Sequence, residues 1–449
     1  MRARTCLTTL ANKYTIMGSS QHNPNSQDAV SHVRLQNRQC LGCDAPLPRA
    51  FLDLGTTPLA NSYIKPGQHG HLEETFPLAV AYCDGCHLVQ LTDLVAPDKL
   101  FTEYLYFSSY SERFLAHAKS MAAELTERFR LAVTSRVLEI ASNDGYLLQY
   151  FQPSGMAVLG VEPAHNIAAV AQGRGIPTLN SFFDSATAAD IRRSFGPAEL
   201  IVGNNVLAHV PAINDFLAGV AACLASDGAA VFEFPYIGEL LANSEFDTIY
   251  HEHVFYYSLR AIRVLADRAG LELFDVEPQA IHGGSLRIFL QHPGARPRTP
   301  AVAAMLAHET RDGLDGPARY ASFGAQVECL RTQLLRLLNQ LRGAGRRIAA
   351  YGAPAKGNTL LNYCGIDSSV IEFTIDRSPH KQGLMLPGSR IPIRPPEALA
   401  DATPDYALIL PWNFTDEIVA QQRSYLERGG RFIVPIPTPR ILDRASVAA

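Results

Sequence analysis

Short apolar runs in the middle of the chain have the pattern of buried parallel strands. The first, residues 137–140, leads into a turn at 141–145, and further runs follow at 157–162, 199–209 and 229–235. Residues 112–130 carry apolar side chains at helical spacing, and a helix is expected again from Tyr146 onward. Apolar strands that alternate with helices are typical of a doubly wound α/β sheet.

A second strand–turn–helix unit begins near residue 347. Its apolar residues run into a turn at Gly352, a helix is expected after that turn, and further strands are predicted at 371–376, 405–413 and 431–435. Residues 302–345 have helical spacing and connect the two units. We therefore predict two Rossmann-like α/β domains, over residues 101–290 and 291–449.

Composition and charge narrow the classes of partner. A chain of 449 residues with 47% hydrophobic and 18% charged residues is typical of a folded protein with two or three domains. The net charge of −4 does not favour a nucleic acid or an acidic membrane surface. No apolar run reaches the roughly 20 residues of a membrane span, and no signal-peptide pattern is found, so a cytoplasmic protein is expected.

Two Cys-x-x-Cys pairs predict a metal site near the N-terminus. Cys40 and Cys43 form the first pair, and Cys83 and Cys86 form the second. Two such knuckles complete a tetrahedral set of four thiolates, which indicates a structural zinc ion with no open position for catalysis. A redox pair is the alternative. We assign residues 36–100 to a zinc-binding module, and residues 1–35, which are polar and aperiodic, to a disordered extension.

Polar residues follow the predicted strands at the edge where such sheets bind nucleotides. A carboxylate at Glu162 can accept both ribose hydroxyls of an adenosine. The first turn lacks the Gly-x-Gly-x-x-Gly of an NAD dehydrogenase. Glu139, Gly145, Glu162 and the pair Asn204 and Asn205 together resemble the motifs of class I S-adenosylmethionine-dependent methyltransferases. The candidate cofactor ligands are Glu139, Ala141, Asn143, Asp144, Gly145, Glu162, Pro163, Asn204 and Asn205.

Further candidate ligands lie outside this edge. Residues 101–111 are rich in aromatic and hydroxyl side chains, which would cover a ligand or pack the zinc module onto the next domain. The Gly283–Gly284 pair allows close backbone approach, and Arg287 near it can balance a carboxylate or phosphate. In the second strand–turn–helix unit, Lys356 lies where a pyrophosphate would meet a helix N-terminus. A turn with a solvated Arg, and a solvated helix-end Lys, are the alternatives. The candidate substrate ligands are Tyr106, Ser108, His282, Gly283, Arg287, Lys356 and Asn358.

Four consecutive titratable residues follow the predicted strand at 229–235 after a short connection. Tyr250, His251, Glu252 and His253 are followed by three aromatic residues within the next four positions. Such a density of titratable groups beside aromatic side chains suits proton transfer, because burial and charge can move a pKa toward neutrality. A hydrogen-bonded loop is the alternative interpretation.

Taken in order, these motifs resemble the nucleotide-sugar C-methyltransferases of deoxysugar biosynthesis, which methylate the 3-carbon of sugars such as mycarose. The resemblance runs from about residue 39 to the C-terminus. It implies a zinc module, a central methyltransferase domain and a C-terminal Rossmann-like domain, with the sugar nucleotide, expected to be TDP-linked, between them. A monomer is expected.

The resemblance also implies a reaction. A base removes the acidic proton beside a 4-keto group, and the enolate carbon attacks the methyl group of S-adenosylmethionine. His253 is the candidate base, with Glu252 or His251 to orient it, and Tyr250 and Tyr104 to stabilise the enolate oxygen or guide the proton. The alternatives are O- or N-methylation, another activated carbonyl substrate, or a nucleotide-sugar-binding or dehydrogenase-like protein without methyl transfer.

Overall fold

The computed structural model describes residues 15–16, 35–36, 38–68, 70, 72–101, 107–281 and 283–448. The strands are, in chain order, β1 (Thr15–Ile16), β2 (Leu35–Gln36), β3 (Leu52–Pro58), β4 (Thr75–Tyr82), β5 (Val89–Leu91), β6 (Asp93–Leu94), β7 (Arg136–Ile140), β8 (Ala157–Val161), β9 (Thr178–Leu179), β10 (Ala198–Asn204), β11 (Leu224–Pro235), β12 (Phe255–Tyr256), β13 (Glu272–Gln279), β14 (Ser285–Gln291), β15 (Ile348–Tyr351), β16 (Thr374–Ile375), β17 (Ile393–Arg394), β18 (Tyr406–Ile409), β19 (Arg431–Val434) and β20 (Arg440–Leu442).

The helices alternate with these strands through most of the chain. They are α1 (Pro97–Phe101), α2 (Glu112–Arg128), α3 (His165–Gly173), α4 (Ser185–Ser194), α5 (Ile213–Cys223), α6 (Ile237–Ala242), α7 (Leu259–Arg268), α8 (Pro300–Arg311), α9 (Pro317–Gly343), α10 (Ala355–Cys364), α11 (Ala398–Ala402), α12 (Thr415–Gln421), α13 (Arg423–Glu427) and α14 (Arg444–Ala448). Over the described residues, none of these helices is long and apolar enough to cross a membrane.

The central domain is built on a seven-stranded sheet in the order β13-β14-β11-β10-β7-β8-β9. Neighbouring strands from β9 to β11 run parallel, and β14 is antiparallel to both of its neighbours. Helix α2 covers one face, where Phe114, Met121 and Leu125 are buried against the sheet. The predicted doubly wound α/β domain is confirmed.

One predicted element of this domain is wrong. The helix expected from Tyr146 onward is replaced by two short 3₁₀ turns, Leu148–Tyr150 and Gln152–Ser154. Pro153 has no N–H to continue a helix, and Gly155 ends the segment in a left-handed conformation with φ 78°. The crevice edge beside β7 therefore carries irregular backbone in place of a regular helix.

The C-terminal domain repeats the strand–turn–helix pattern around a six-stranded sheet. The strand order is β17-β16-β15-β18-β19-β20, with all neighbours parallel except the last pair. The predicted helical connection is present as α8 and the 27-residue α9. The second predicted Rossmann-like sheet is thus confirmed.

The N-terminal module forms an antiparallel sheet that takes a strand from the central domain. Its order is β12-β5-β4-β3, and β12 comes directly after the four titratable residues. Before this module, Thr15–Ile16 pairs with Leu35–Gln36, and Leu35–Gln36 also pairs with β6. The chain therefore leaves the central sheet after β11, crosses to the zinc module at β12 and returns through α7.

Candidate active site

The first turn of the central domain has the backbone of a ligand cradle. Ala141, Asn143 and Gly145 all adopt positive φ, at 57°, 47° and 80°. A side chain at Gly145 would come within 2.8 Å of Ile176, so only glycine fits both the conformation and the space. The Asn143 N–H donates to the Glu162 carboxylate over 3.0 Å, which ties this turn to the end of β8.

Several buried oxygens at this edge lack a well-formed hydrogen bond within the described part of the chain. They belong to Ser142, Asp144 and Asn204, whereas the buried Glu139 carboxyl is bonded by Tyr146 and the Leu148 backbone. Burying unpaired oxygens is costly, so their convergence at the carboxyl ends of parallel strands fits a polar ligand that brings its own donors. Burial also raises the pKa of Glu162 to about 7, against hydrogen bonds from Ala164 and Asn143. These acceptor oxygens suit the hydroxyl and ammonium groups of S-adenosylmethionine, which donate hydrogen bonds.

The remaining residues predicted for this crevice frame its rim. The Ser108 N–H donates to the Asn143 side chain over 2.9 Å, so this part of the aromatic segment lies against the cofactor turn. Asn180 donates to the carbonyl of Pro163 over 3.0 Å, and the Asn205 N–H donates to the Glu233 carbonyl over 2.7 Å. Tyr104, Tyr106 and His282 lie outside the described residues.

Tyr250 and His253 form a hydrogen-bonded pair at the junction of the three domains. The Tyr250 hydroxyl lies 2.8 Å from His253 Nε2, and His253 Nδ1 lies 2.9 Å from the Thr248 carbonyl oxygen. A carbonyl only accepts, so Nδ1 carries the hydrogen and the lone pair of the neutral ring lies on Nε2. The Tyr250 hydroxyl therefore donates to His253, and both side chains are only half-buried. This pair is a ready proton acceptor.

His209 stands beside this pair and was not singled out from the sequence. Its ring packs edge-on against His253 with centroids 4.9 Å apart, and its Nδ1–H donates to the Glu252 carbonyl over 2.7 Å. Burial lowers the pKa of His209 to about 4, although the bond to Glu252 opposes this shift. The ring is therefore neutral. The sequence does carry one indication of this role, because His209 follows the carboxyl end of β10, where ligands of such sheets bind.

Glu252 is held by the zinc module. Its side chain is 5% exposed, and its Oε1 accepts from Asn61 Nδ2 over 2.7 Å. Burial raises the pKa of Glu252 to about 7, against the hydrogen bond from Asn61. Asn61 is a second residue that sequence reasoning missed, because a single asparagine in a loop carries no pattern. A carboxyl group that titrates near neutrality suits proton transfer.

His251 differs from the other members of the tetrad. It is buried, its Nε2 lies 3.2 Å from the Pro77 carbonyl of β4, and its ring meets Phe76 edge-on at 5.7 Å. Burial lowers its pKa. The predicted role in orienting His253 is therefore not supported, because this ring packs on the zinc module.

Arg287 lies in an internal ion-pair network and not at a phosphate site. It is 2% exposed, and its guanidinium contacts Glu233 at 2.7 Å, Glu124 at 2.8 Å and Glu277 at 3.5 Å. The other oxygen of Glu233 lies 2.8 Å from His117 Nε2. Burial alone would raise the pKa of Glu233, but His117 and Arg287 outweigh it and lower the pKa. The guanidinium is thus already neutralised, which corrects its assignment as a substrate ligand.

Three other predicted substrate ligands make contacts within a domain or between two domains. A Cβ on Gly283 would lie 2.8 Å from the Glu245 carboxylate, so this backbone approaches Glu245 closely. Asn358 donates to the Ala60 carbonyl of the zinc module over 2.6 Å. The Lys356 ammonium lies 3.9 Å from the centre of the Trp412 ring. Of the three, the Asn358 contact joins the C-terminal domain to the zinc module.

The four cysteines of the N-terminal module converge as predicted. Their sulfur atoms all lie within 4.8 Å of one another, with Cys40 and Cys86 3.4 Å apart and Cys43 and Cys83 3.5 Å apart. Zinc–sulfur bonds of about 2.3 Å in a tetrahedron place the sulfurs about 3.8 Å apart, close to these distances. All four are free thiols. The site therefore fits a structural zinc ion, and the redox alternative is not favoured.

Replacing Glu252 with glutamine is expected to change how stability depends on pH. Because the folded-state pKa of Glu252 is raised, its contribution to stability is present below about pH 4.5 and is lost as the pH rises through about 7. The variant should be more stable than the wild type by about 3 kcal/mol at pH 8, with the difference vanishing near pH 4. Urea unfolding across this range tests the effect, and the exposed Glu127→Gln is the control. A pH-independent difference would contradict it.

Comparison with known proteins agrees with this architecture. Family profiles match a zinc-binding domain over residues 40–101, a methyltransferase domain over 112–276 and a C-methyltransferase C-terminal domain over 280–437. The C-methyltransferase NovU of Streptomyces niveus is 40% identical over 396 residues, which is 88% of this chain and 94% of that protein. The chain belongs to the C-methyltransferase family. The predicted resemblance is confirmed, and this C-methyltransferase depends on S-adenosylmethionine.

Solved methyltransferase structures resemble parts of this C-methyltransferase. The magnesium protoporphyrin IX methyltransferase of Synechocystis with bound S-adenosylmethionine is 12% identical, covers 40% of this chain and 79% of its own, and gives a TM-score of 0.30. The glycopeptide N-methyltransferase MtfA is 16% identical, covers 39% of this chain and 96% of its own, and gives a TM-score of 0.32.

Proposed function

We propose that this C-methyltransferase methylates the 3-carbon of a nucleotide-linked 4-keto-deoxysugar through an enolate. The observation that carries the proposal is the Tyr250–His253 pair, in which the Thr248 carbonyl leaves the lone pair of the neutral ring on Nε2. Methylation of a carbon needs a base that removes a proton from a C–H bond. Metal-dependent methylation of a hydroxyl group instead needs a metal ion with an open coordination position. The four-thiolate site supplies no such position.

The tetrad provides the groups for each proton movement. The Tyr250 oxygen takes the proton from the 3-carbon as its own hydrogen passes to His253 Nε2, and the electron pair of the C–H bond moves to the 4-keto oxygen. The resulting imidazolium is stabilised by the Thr248 carbonyl, and the neutral ring of His209 adds no repelling charge. Glu252, fixed by Asn61, keeps the segment in place.

The cofactor supplies an electrophilic methyl group when it is bound. Glu162 would hold its ribose hydroxyls, and the turn at Asn143–Gly145, with Asp144 and Asn204, would surround its amino-acid end. Methyl transfer to the enolate carbon would convert the sulfonium to neutral S-adenosylhomocysteine, and one proton would remain on the enzyme. The nucleotide of the substrate, expected to be TDP, would lie between the central and C-terminal domains.

Solvent exchange separates this proposal from heteroatom methylation. In deuterated water and without S-adenosylmethionine, the enzyme should replace the hydrogen at the 3-carbon of a TDP-4-keto-6-deoxysugar with deuterium. An O- or N-methyltransferase has no reason to break that bond. Proton NMR of the sugar follows the exchange, and calorimetry with S-adenosylmethionine shows that the protein is competent. Absence of exchange in a protein that binds the cofactor would refute the proposal.

A further inference from the structure

The turn just before the tetrad is clamped by the C-terminal domain. Phe246–Thr248 packs against α10, with the Phe246 ring edge-on to Tyr363 at 5.3 Å. Trp412, which follows β18, donates its indole N–H to Asp247 Oδ2 over 2.7 Å. Asp247 is completely buried, and its carboxylate is also bonded by the backbone N–H groups of Asp247 and Thr248. A fully buried carboxylate is costly without an opposite charge nearby.

Lys356 supplies that charge. Its ammonium stacks on the same Trp412 ring at 3.9 Å, so one indole contacts both the acid and the base. Burial raises the pKa of Asp247 to about 6, and Lys356 is the strongest opposing influence. Burial lowers the pKa of Lys356, against Asp247 and then Glu245. Each charge therefore supports the other.

This cluster is linked directly to the base. Thr248 follows Asp247, and its carbonyl accepts the Nδ1–H of His253 over 2.9 Å. The Thr248 hydroxyl donates to the Glu245 carbonyl over 2.8 Å, which closes the turn. A shift of Asp247 therefore moves the Thr248 carbonyl, which keeps the hydrogen of His253 on Nδ1.

We propose that Asp247, Trp412 and Lys356 are positioning residues through which the C-terminal domain holds His253 in its reactive tautomer. Lys356 acts as the counter-ion of a buried acid and not as a phosphate ligand. The inference rests on the proposed function only in taking His253 as the base. The cluster spans two domains. Catalysis by the central domain therefore depends on how the C-terminal domain packs against it.

Two substitutions remove opposite halves of the clamp. Trp412→Phe deletes the indole donor, and Asp247→Ala deletes the acceptor, whereas Asp247→Asn keeps an acceptor of the same shape. The first two should lower kcat about 10- to 100-fold with an unchanged KM for S-adenosylmethionine, and Asp247→Asn should restore most of the loss. ¹⁵N NMR of histidine-labelled full-length protein, with His253 assigned from His253→Gln, should show its hydrogen leaving Nδ1 in Trp412→Phe and Asp247→Ala.

Control variants separate positioning from general loosening and from phosphate binding. Glu73→Gln weakens a different contact between the zinc module and the C-terminal domain, at the Gly388 N–H, and should leave the tautomer unchanged. Lys356→Met should lower kcat. An unchanged His253 tautomer in Trp412→Phe and Asp247→Ala, or a raised KM for the sugar nucleotide with full kcat in Lys356→Met, would overturn the inference. If the wild type failed to exchange deuterium at the 3-carbon, the proposed function would be refuted. The inference about the cluster would still stand, because the His253 tautomer is measured without substrate.

Discussion

Replacing His253 with glutamine is expected to lower kcat by about 10²- to 10⁴-fold, because the reaction then lacks its proton acceptor. Cofactor affinity should not change, since the crevice around Glu162 and Asn143 is built from other elements. Deuterium exchange at the 3-carbon should be lost together with methylation. Single-turnover assays and NMR exchange rates measure the two losses on one preparation.

His251→Gln is the matched control for this result. The same substitution two residues away removes a ring that packs on Phe76 and Pro77, outside the proton path. It should reduce stability by about 1–2 kcal/mol and leave exchange within a few-fold of the wild type. Equal losses of exchange in both variants would contradict the assignment of His253 as the base.

Removing the zinc ion is expected to abolish turnover while S-adenosylmethionine still binds. The zinc module holds Glu252 through Asn61, receives His251 at Pro77 and pairs its strand β5 with β12. The cofactor crevice instead depends on β7, β8 and β10 of the central sheet. Loss of the metal should therefore release the tetrad without opening the crevice.

Cys86→Ser and chelator treatment test this expectation together. Metal content, calorimetry with S-adenosylmethionine and turnover are measured on each preparation, and readdition of zinc should restore the chelated wild type. Cys329→Ser, at an exposed cysteine of α9, is the control and should keep both zinc and activity. Full turnover without zinc would exclude the coupling, and simultaneous loss of cofactor binding would show that the whole central domain depends on the metal.

The sequence predicted well the features that depend on local pattern. Strand β7, the turn with Gly145 and the two Cys-x-x-Cys pairs each follow from residues close together in the chain, and each was found. The helix expected after Tyr146 failed because Pro153 and Gly155 outweigh a run of apolar residues. Apolar content predicts burial there, but it does not distinguish a helix from a packed irregular segment.

The sequence could not predict contacts between residues far apart in the chain. Asn61 and Glu252 are separated by 191 positions, and Asp247 and Trp412 by 165. Arg287 illustrates the same limit, since its type suggested a phosphate ligand and its three carboxylate neighbours became visible only in the fold. Residue type shows what a side chain can bind, whereas the fold determines which partner reaches it.

The pairing of β12 with β5 also bears on how relatives of this enzyme can be recombined. Residues just after the tetrad complete the sheet of the zinc module. The module is therefore built from two separate segments of the chain, and no single cut separates it from the catalytic domain. A chimera that exchanges residues 36–100 between relatives would join a foreign sheet to the native strand at Phe255 and Tyr256. If residues 36–100 and the strand at Phe255 and Tyr256 are exchanged together, their hydrogen-bonded register is preserved. A chimera designed to accept another substrate would need to keep that geometry.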